Sequence, residues 1–347
     1  MANTLQEKNQ RNLRVVSLFS GCGGLDLGFL GDFSSLNFAY PRLPYEIVWA
    51  NDINAAATAT YRNNIGPHIR CGDVWQYLDT IPKKVDVVIG GFPCQDISVN
   101  GKRQGISGKR SGLYRALVEA VSISSPRVFL AENVKGLLMS YNRQALQTVL
   151  SDFADLGYDV TFNLYKAADY GVAQTRERVM IVGTRNGSPG FLHPAPTLTS
   201  EQWVTARSAI QDLESLEEAP EWSHIWSRAQ RSPEQGNRKL QADRPGYTVR
   251  AECHGNIHFH YFLDRRMSMR EAARIQSFPD NYFFSGGLRE TERQIGNAVP
   301  PVLGWHLANA ISATFRRTQL TPHRLSERAQ ATAANHARTR QLSLAIA

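Results

Sequence analysis

Val85-Asp86-Val87-Val88-Ile89-Gly90-Gly91-Phe92-Pro93-Cys94-Gln95 is a short β-branched run that stops at a glycine pair and passes into a Pro-Cys step. Such a run reads as a strand buried on both faces, the habit of parallel sheets, and ligands gather at the carboxyl ends of those strands. Cys94 therefore stands where a nucleophile would be wanted. Working outward, similar runs recur at Val15 to Phe19, Ile47 to Ala50, Val128 to Ala131 and Val179 to Gly183, with helical stretches between them. Strands alternating with helices predict an α/β fold with a doubly wound, mostly parallel, Rossmann-like sheet.

The chain has 347 residues, 42% of them hydrophobic, enough for one large domain with a smaller appendage. A formal net charge of +8 points to a polyanionic partner such as nucleic acid. Cys22, Cys71, Cys94 and Cys253 are scattered with no CxxC pair, which argues against a disulfide framework or a structural zinc site, and no metal is expected. No apolar stretch is long enough to span a bilayer and the first dozen residues are polar, so a soluble, cytoplasmic, nucleoid-associated monomer is expected.

Near Asn186 the texture changes, with Gly187, Pro189, Gly190, Pro194 and Pro196 punctuating a loop. The predicted organisation is a tail at 1–13, a first domain at 14–185, a second and smaller one at 186–264, a return to the first at 265–317, and a basic tail at 318–347. Ser268 to Phe278 has helical spacing closed by Pro279, and a second helix is predicted from Val302 to about Phe315.

Val15 to Gly24 is a strand feeding a glycine-rich turn. A full GxGxxG would place glycine at position 26, where Asp26 stands. Those glycines serve close approach to a pyrophosphate, so the departure favours S-adenosylmethionine, which has none. A plain turn using glycine for its positive φ is the simpler alternative. Asp52 ends the second strand, where a carboxylate can bond ribose hydroxyls, and Asp73 ends a third, within reach of an adenine; either alone would be an ordinary helix cap.

Six segments in fixed order complete the pattern: Leu18-Phe19-Ser20-Gly21-Cys22-Gly23-Gly24, Gly91 to Ser98, Glu132-Asn133-Val134-Lys135-Gly136-Leu137, Gln174-Thr175-Arg176-Glu177-Arg178-Val179, Arg270 to Arg274 with Phe278-Pro279-Asp280, and Gln294 to Pro300. With these the chain resembles a DNA (cytosine-5)-methyltransferase of the prokaryotic restriction-modification type. The resemblance implies S-adenosylmethionine as methyl donor, double-stranded DNA as substrate, and either a cognate endonuclease acting on the same site or a solitary methyltransferase role. It places a cofactor pocket on Phe19, Ser20, Gly21, Cys22, Gly23, Gly24, Asp52, Ile53, Asp73, Val74, Pro93, Leu113, Asn297 and Ala298. It also makes 186–264 a target-recognition domain.

The chemistry suits these residues. Cytosine C5 is a poor nucleophile, and adding a soft thiolate to C6 turns the ring into an enamine whose C5 can attack a methyl group. Cys94 fits that role. Charge pushed onto N3 and O2 calls for an acid, and Glu132, after the strand Val128 to Ala131, is placed to supply it. Asn133 would brace the loop. Arg176 and Arg178 share a face if extended, and either guanidinium suits O2; the family pattern assigns it to Arg178, with Arg176 in support. The group that removes the C5 proton is expected to be a water.

Cytosine C6 is inaccessible in a duplex, so the base must flip out. Residues 95–112 supply a closing loop, with Gln95 and Ser98 at its root and Lys102 and Arg103 for phosphates. From Thr248 to Tyr261, polar Arg250, Glu252, His254, Asn256, His258 and His260 alternate with mostly apolar residues, which predicts a half-buried strand whose polar face reads bases. Thr248 also matches the family's threonine-containing recognition dipeptide. A zinc deaminase is excluded because Ile97 stands where its second cysteine would be. A tRNA cytosine-5 methyltransferase on the same scaffold is the alternative, and a non-catalytic DNA-binding protein a more distant one.

Overall fold

The computed structural model describes residues 11–92, 112–228, 238–251 and 258–316. The strands in chain order are β1 (Leu13–Leu18), β2 (Phe33–Ser35), β3 (Phe38–Tyr40), β4 (Tyr45–Asp52), β5 (Ile69–Cys71), β6 (Val87–Gly91), β7 (Val128–Val134), β8 (Tyr158–Lys166) and β9 (Glu177–Arg185). Seven form one sheet in the order β5-β4-β1-β6-β7-β9-β8, while β2 and β3 make a separate hairpin. From β5 to β7 every pairing is parallel; β9 lies antiparallel to both β7 and β8. The order reverses between β1 and β6, the switch point where doubly wound sheets open a crevice.

The apolar runs form strands here because both faces are covered. Val15, Val87, Ile89, Val128, Leu130 and Met180 face one cluster, shared with α1 (Gly24–Leu30) and α8 (Pro301–Arg316). Val16, Leu18, Val88, Phe129, Ala131 and Val179 face the other, shared with α3 (Leu113–Ser124) and α4 (Arg143–Ala154). Residue-by-residue alternation between two cores is what a period of two produces. On the far side of β1, α2 (Ala55–Asn64) connects β4 to β5.

Helix α8 lies directly on α1. A Cβ on Gly28 would stand 2.5 Å from the Pro301 carbonyl and 2.7 Å from Gly304 Cα, so the helices meet at backbone distance. Tyr45 Oη donates to the Ala308 carbonyl (2.7 Å) and Trp305 Nε1 to that of Pro41 (2.9 Å), pinning α8 along its length.

Among its described residues the middle of the chain carries only the short α5 (Ala206–Ile210) and several single turns. Its Ala206, Ile210, Leu240 and Val249 share a third apolar cluster with α6 (Met269–Ile275), with Ile295 of α7 (Leu288–Asn297), and with Cys22 from the glycine turn. Ion pairs hold the same junction: Arg265 grips Glu271 through two hydrogen bonds (2.8 and 2.7 Å), and Arg274 spans Asp212 (2.6 Å) and Asp280 (2.8 Å).

Four elements differ from the sequence expectation. Strand β7 continues through Glu132 to Val134, so Glu132 lies within the strand and not after it. Strand β8 and the β2–β3 hairpin were not anticipated; β8 is a sheet edge with mixed polarity, and its outward side chains are exposed. The alternating stretch 248–261 forms no strand among its described residues, and Phe259 makes only single bridges to Lys239 and Arg266. Val249 is buried and Arg250 exposed as alternation requires, but His258 and His260 are buried where a solvated face was expected. Distant partners explain this. His260 Nδ1 accepts from the Phe262 and Leu263 amides (3.0 and 3.1 Å), and its Nε2 lies 3.9 Å from Glu214 and 4.0 Å from Glu271.

Among the described residues no helix is long and apolar enough to cross a membrane. The contact between α1 and α8 has no room for a methyl group, so Gly28→Ala should lower stability by about 1–3 kcal/mol, the usual cost of overpacking. Urea unfolding monitored by tryptophan fluorescence measures it; an unchanged midpoint would show that the helices can separate freely.

Candidate active site

Glu132 sits one residue across from Gly91 in the parallel pairing of β6 with β7, and across from Met180 in the antiparallel pairing of β7 with β9. Arg178 is paired with Val134, two residues on. Side chains two apart on a strand share a face, and residues paired across strands do too. The Glu132 and Arg178 side chains therefore emerge together, and Arg178 Nε lies 2.6 Å from Glu132 Oε1 with each side chain only 11% exposed. Antiparallel entry of β9 beside a parallel strand makes this pair. The glycine of β6 completes it: a Cβ on Gly91 would lie 2.8 Å from Glu132 Oε2.

Asn133 points the other way. Its Nδ2 donates to the Phe92 carbonyl (3.1 Å) and its Oδ1 accepts from Val134 N (2.8 Å), so it holds the chain where it leaves β6 toward residue 93. Arg176 is 1% exposed, and its two terminal nitrogens donate to the Val249 (2.9 Å) and Gly296 (2.8 Å) carbonyls. Burial, then the neighbouring Arg178, push its pKa well below the ordinary arginine value. Of the two arginines, Arg178 is the one beside the carboxylate, and Arg176 is committed to backbone.

At the other side of the switch point, β1 is followed by Phe19 with φ +54°, then by Gly21 (φ +55°) and Gly23 (φ +90°). The site of a Gly21 Cβ has no atom within 4 Å, so the turn presents open space at the carboxyl edge of the sheet. Asp52 borders that space: its Oδ2 accepts from Gly21 N and its Oδ1 from Asn54 N, both at 2.8 Å. Burial raises the Asp52 pKa, and the amide donors of Asn54, Gly21 and Ile53 partly offset it. Ile53 is 73% exposed beside it. Asp73 caps the turn Val74–Gln76 through Trp75 N (3.2 Å), with Val74 buried. Ser20 Oγ bonds within the turn to Ser17, and Phe19 and Leu113 both pack on the α3 cluster.

Ala298 closes the pocket from the far end of the chain. A Cβ on Gly24 would meet the Val299 carbonyl at 2.4 Å and Ala298 Cβ at 3.1 Å, so the turn and residues 298–299 are in contact; Asn297, which ends α7, is exposed next to them. An open glycine turn, a carboxylate fixed by backbone amides and an exposed aliphatic side chain suit a nucleoside without phosphates.

The predicted residues Pro93, Cys94, Gln95, Ser98, Lys102, Arg103, Glu252, His254 and Asn256 lie outside the described residues. Cys22 does not compete as nucleophile: it is 2% exposed, burial raises its thiol pKa, and its Sγ contacts the Gln294 carbonyl at 3.6 Å. Thr248 is half-buried and Arg250 exposed. Burial, then Arg238, Arg250 and Arg266, push His258 down to about 4, which marks a concentration of positive charge around it.

A profile of the C-5 cytosine-specific DNA methylase family matches residues 13–242 and 221–313. The chain belongs to that family. It is 38% identical over 337 residues to the Type II methyltransferase M.NgoFVII of Neisseria gonorrhoeae, covering 87% of each chain. It is 34% identical to the Type II methyltransferase M.NgoPII of the same organism, covering 88% of this chain and 97% of that one. Among solved structures, the Dnmt2 methyltransferase of S. pombe shares the fold with a TM-score of 0.65 at 19% identity, over 88% of this chain and 99% of that one. The protein is thus a DNA (cytosine-5)-methyltransferase that uses S-adenosylmethionine, on the Rossmann-like sheet expected of it.

The sequence reading of the methyltransferase gave no role to Gln174, Gln276 or Asp26. All three are fully buried, which only the fold reveals for Gln174, followed as it is by Thr175, Arg176, Glu177 and Arg178. Asp26 Oδ1 accepts from Tyr61 Oη (2.9 Å), and Tyr61 Oη in turn meets His68 Nε2 (3.0 Å).

Two outcomes follow for the methyltransferase. Burial raises the Asp26 pKa to about 6. A folded-state pKa above the unfolded one means stability present at low pH and lost as pH rises from about 4 through 6, on the order of 3 kcal/mol. Asp26→Asn should flatten that slope in urea titrations between pH 4 and 7, and an unchanged slope refutes the assignment. Arg178→Ala strands a buried carboxylate and should cost roughly 3–5 kcal/mol. Adding Glu132→Gln should restore part of it, and additive losses in the double variant would deny the pair.

Proposed function

We propose that this enzyme methylates cytosine in a specific duplex sequence, on a base flipped out of the helix, and protects host DNA in a restriction-modification system. The observation that carries the reading is the Glu132–Arg178 pair on β7 and β9, beside the end of the strand that leads to Cys94. Catalytic roles fall to Cys94, Glu132 and Arg178, with Asn133 and Arg176 in support. The Type II names of the relatives support the restriction-modification setting, with an endonuclease that acts on the same sequence and need not bind the methyltransferase, itself a monomer.

The steps follow from these residues. The Cys94 thiolate adds to C6, and the ring electrons move toward N3 and O2. Glu132 delivers a proton to N3 and Arg178 holds O2, so the developing charge is met by groups already in place. Bound S-adenosylmethionine supplies an electrophilic methyl group at C5. Loss of the C5 proton to water and return of the N3 proton to Glu132 then let the ring electrons expel the Cys94 thiolate and restore the aromatic base. Phe19, Asp52, Ile53, Asp73, Val74 and Leu113 hold the nucleoside end of the cofactor, and Asn297 and Ala298 its methionine end.

Flipping costs a few kcal/mol of stacking and pairing. Residues 95–112 offset this by binding phosphates through Lys102 and Arg103, with Gln95 and Ser98 next to the base. Residues 186–264 choose the sequence, through Thr248, Arg250, Glu252, His254 and Asn256.

Bisulfite sequencing of DNA from cells expressing the enzyme should show one short motif with protected cytosine, and Cys94→Ala should abolish the protection. In vitro, duplex containing 5-fluorocytosine should be trapped covalently by wild type alone. Methyl transfer to tRNA with unprotected DNA would overturn the reading in favour of a tRNA enzyme.

A further inference from the structure

Val249 adjoins the recognition threonine Thr248, and both polar atoms of its peptide group are held by the chain that leads into β9. Val249 N donates to Gln174 Oε1 (3.0 Å), and Arg176 donates to Val249 O (2.9 Å). Each of these side chains also reaches the cofactor motif. Gln174 Nε2 donates to Gln276 Oε1, and Gln276 Nε2 donates to the Ala298 carbonyl (2.6 Å); Arg176 donates to the Gly296 carbonyl (2.8 Å). Two parallel polar bridges therefore run from Val249 to residues 296 and 298.

The backbones they join are in contact. A Cβ on Gly296 would stand 2.3 Å from Arg250 C and 2.4 Å from Ala251 N. Movement of Arg250 against α7 is thus transmitted with no slack, because packed interiors shift between discrete arrangements and do not deform continuously. Gln174 and Gln276 are both 0% exposed. A buried amide is costly unless its bonds are made, and a satisfied network fixes geometry more than it adds stability. An apolar pair would have filled the space at less cost.

We propose that Gln174 and Gln276 are positioning residues that couple the DNA-reading segment to the methionine end of the cofactor pocket. Seating DNA on Thr248 and Arg250 sets Val249; through the amide pair this sets Ala298, so DNA and cofactor tighten each other's binding. Such coupling is reciprocal, and its usual size is roughly 5- to 150-fold. The inference rests on the proposed roles of Thr248, Arg250 and Ala298.

Equilibrium dialysis of labelled S-adenosylhomocysteine, with and without a short duplex bearing the motif mapped by bisulfite sequencing, measures the coupling factor. Wild type should show tightening in that range. Gln276→Met should lower the factor while affinity without DNA is little changed, the Arg176 bridge keeping the remainder, and the KM for DNA and for S-adenosylmethionine should rise together. The double variant Gln174→Met/Gln276→Met, which leaves no lone amide, should do the same. An unchanged factor in either folded variant overturns the proposal, as does unfolding of both, which would assign the pair to stability alone. Wild type that binds no S-adenosylhomocysteine would overturn the cofactor reading as well.

Discussion

A carboxylate cannot be left bare inside a protein, and the carboxyl edge of this sheet is arranged around satisfying one. Glu132 continues the stripe Val128, Leu130 that faces α8, so alternation alone carries it into a largely enclosed position. It is tolerable there because β9 runs antiparallel and presents Arg178 on the same face, 2.6 Å away. Breaking such a pair from one side is expensive, whereas keeping it adds little net stability. The pair is therefore better understood as a preserved arrangement of charge than as a source of stability. Gly91 leaves the room, Asn133 ties down the adjoining chain, and both follow from where the carboxylate must lie.

What was legible in the sequence is what local physics dictates. The runs that became β1, β4, β6, β7 and β9 are apolar because both faces of each meet a core, and that leaves a local signature. Strand β8 leaves none: at the sheet edge, Asp159, Thr161, Phe162 and Asn163 satisfy pairing on one side and solvent on the other. His258 and His260 misled for the opposite reason. Histidines at alternate positions resemble a solvated reading face, yet their partners are Tyr247, Glu214 and Glu271, which only the folded chain brings near. The contact of Ala298 with Gly24 spans almost the whole chain, and only the family resemblance pointed to it.

Chain order and spatial order diverge for a reason that packing supplies. Helix α8 approaches α1 through Gly28 and Gly304, and α7 approaches the recognition segment through Gly296. Each contact is backbone on backbone, where a side chain would force separation. The cofactor turn lies between them, with Gly24 touching Val299 and Cys22 packed among the residues of the third cluster. The glycine turn from the first third of the sequence thus packs against both the last third and the middle.

Asp26, which interrupts the glycine pattern at the turn, fits the same picture. A third glycine at that position serves close helix–strand packing around a pyrophosphate. With no phosphate to accommodate, the position is open to a side chain, and an acidic one in the first turn of α1 has the helix dipole in its favour. The carboxylate is spent inward, on Tyr61 of α2, and so ties the helix after β1 to the helix after β4. Asp52 does the corresponding job one layer up, binding Gly21 N and Asn54 N from the ends of the same two strands. Two carboxylates near one turn repel each other, and with burial this contributes to the raised Asp26 pKa.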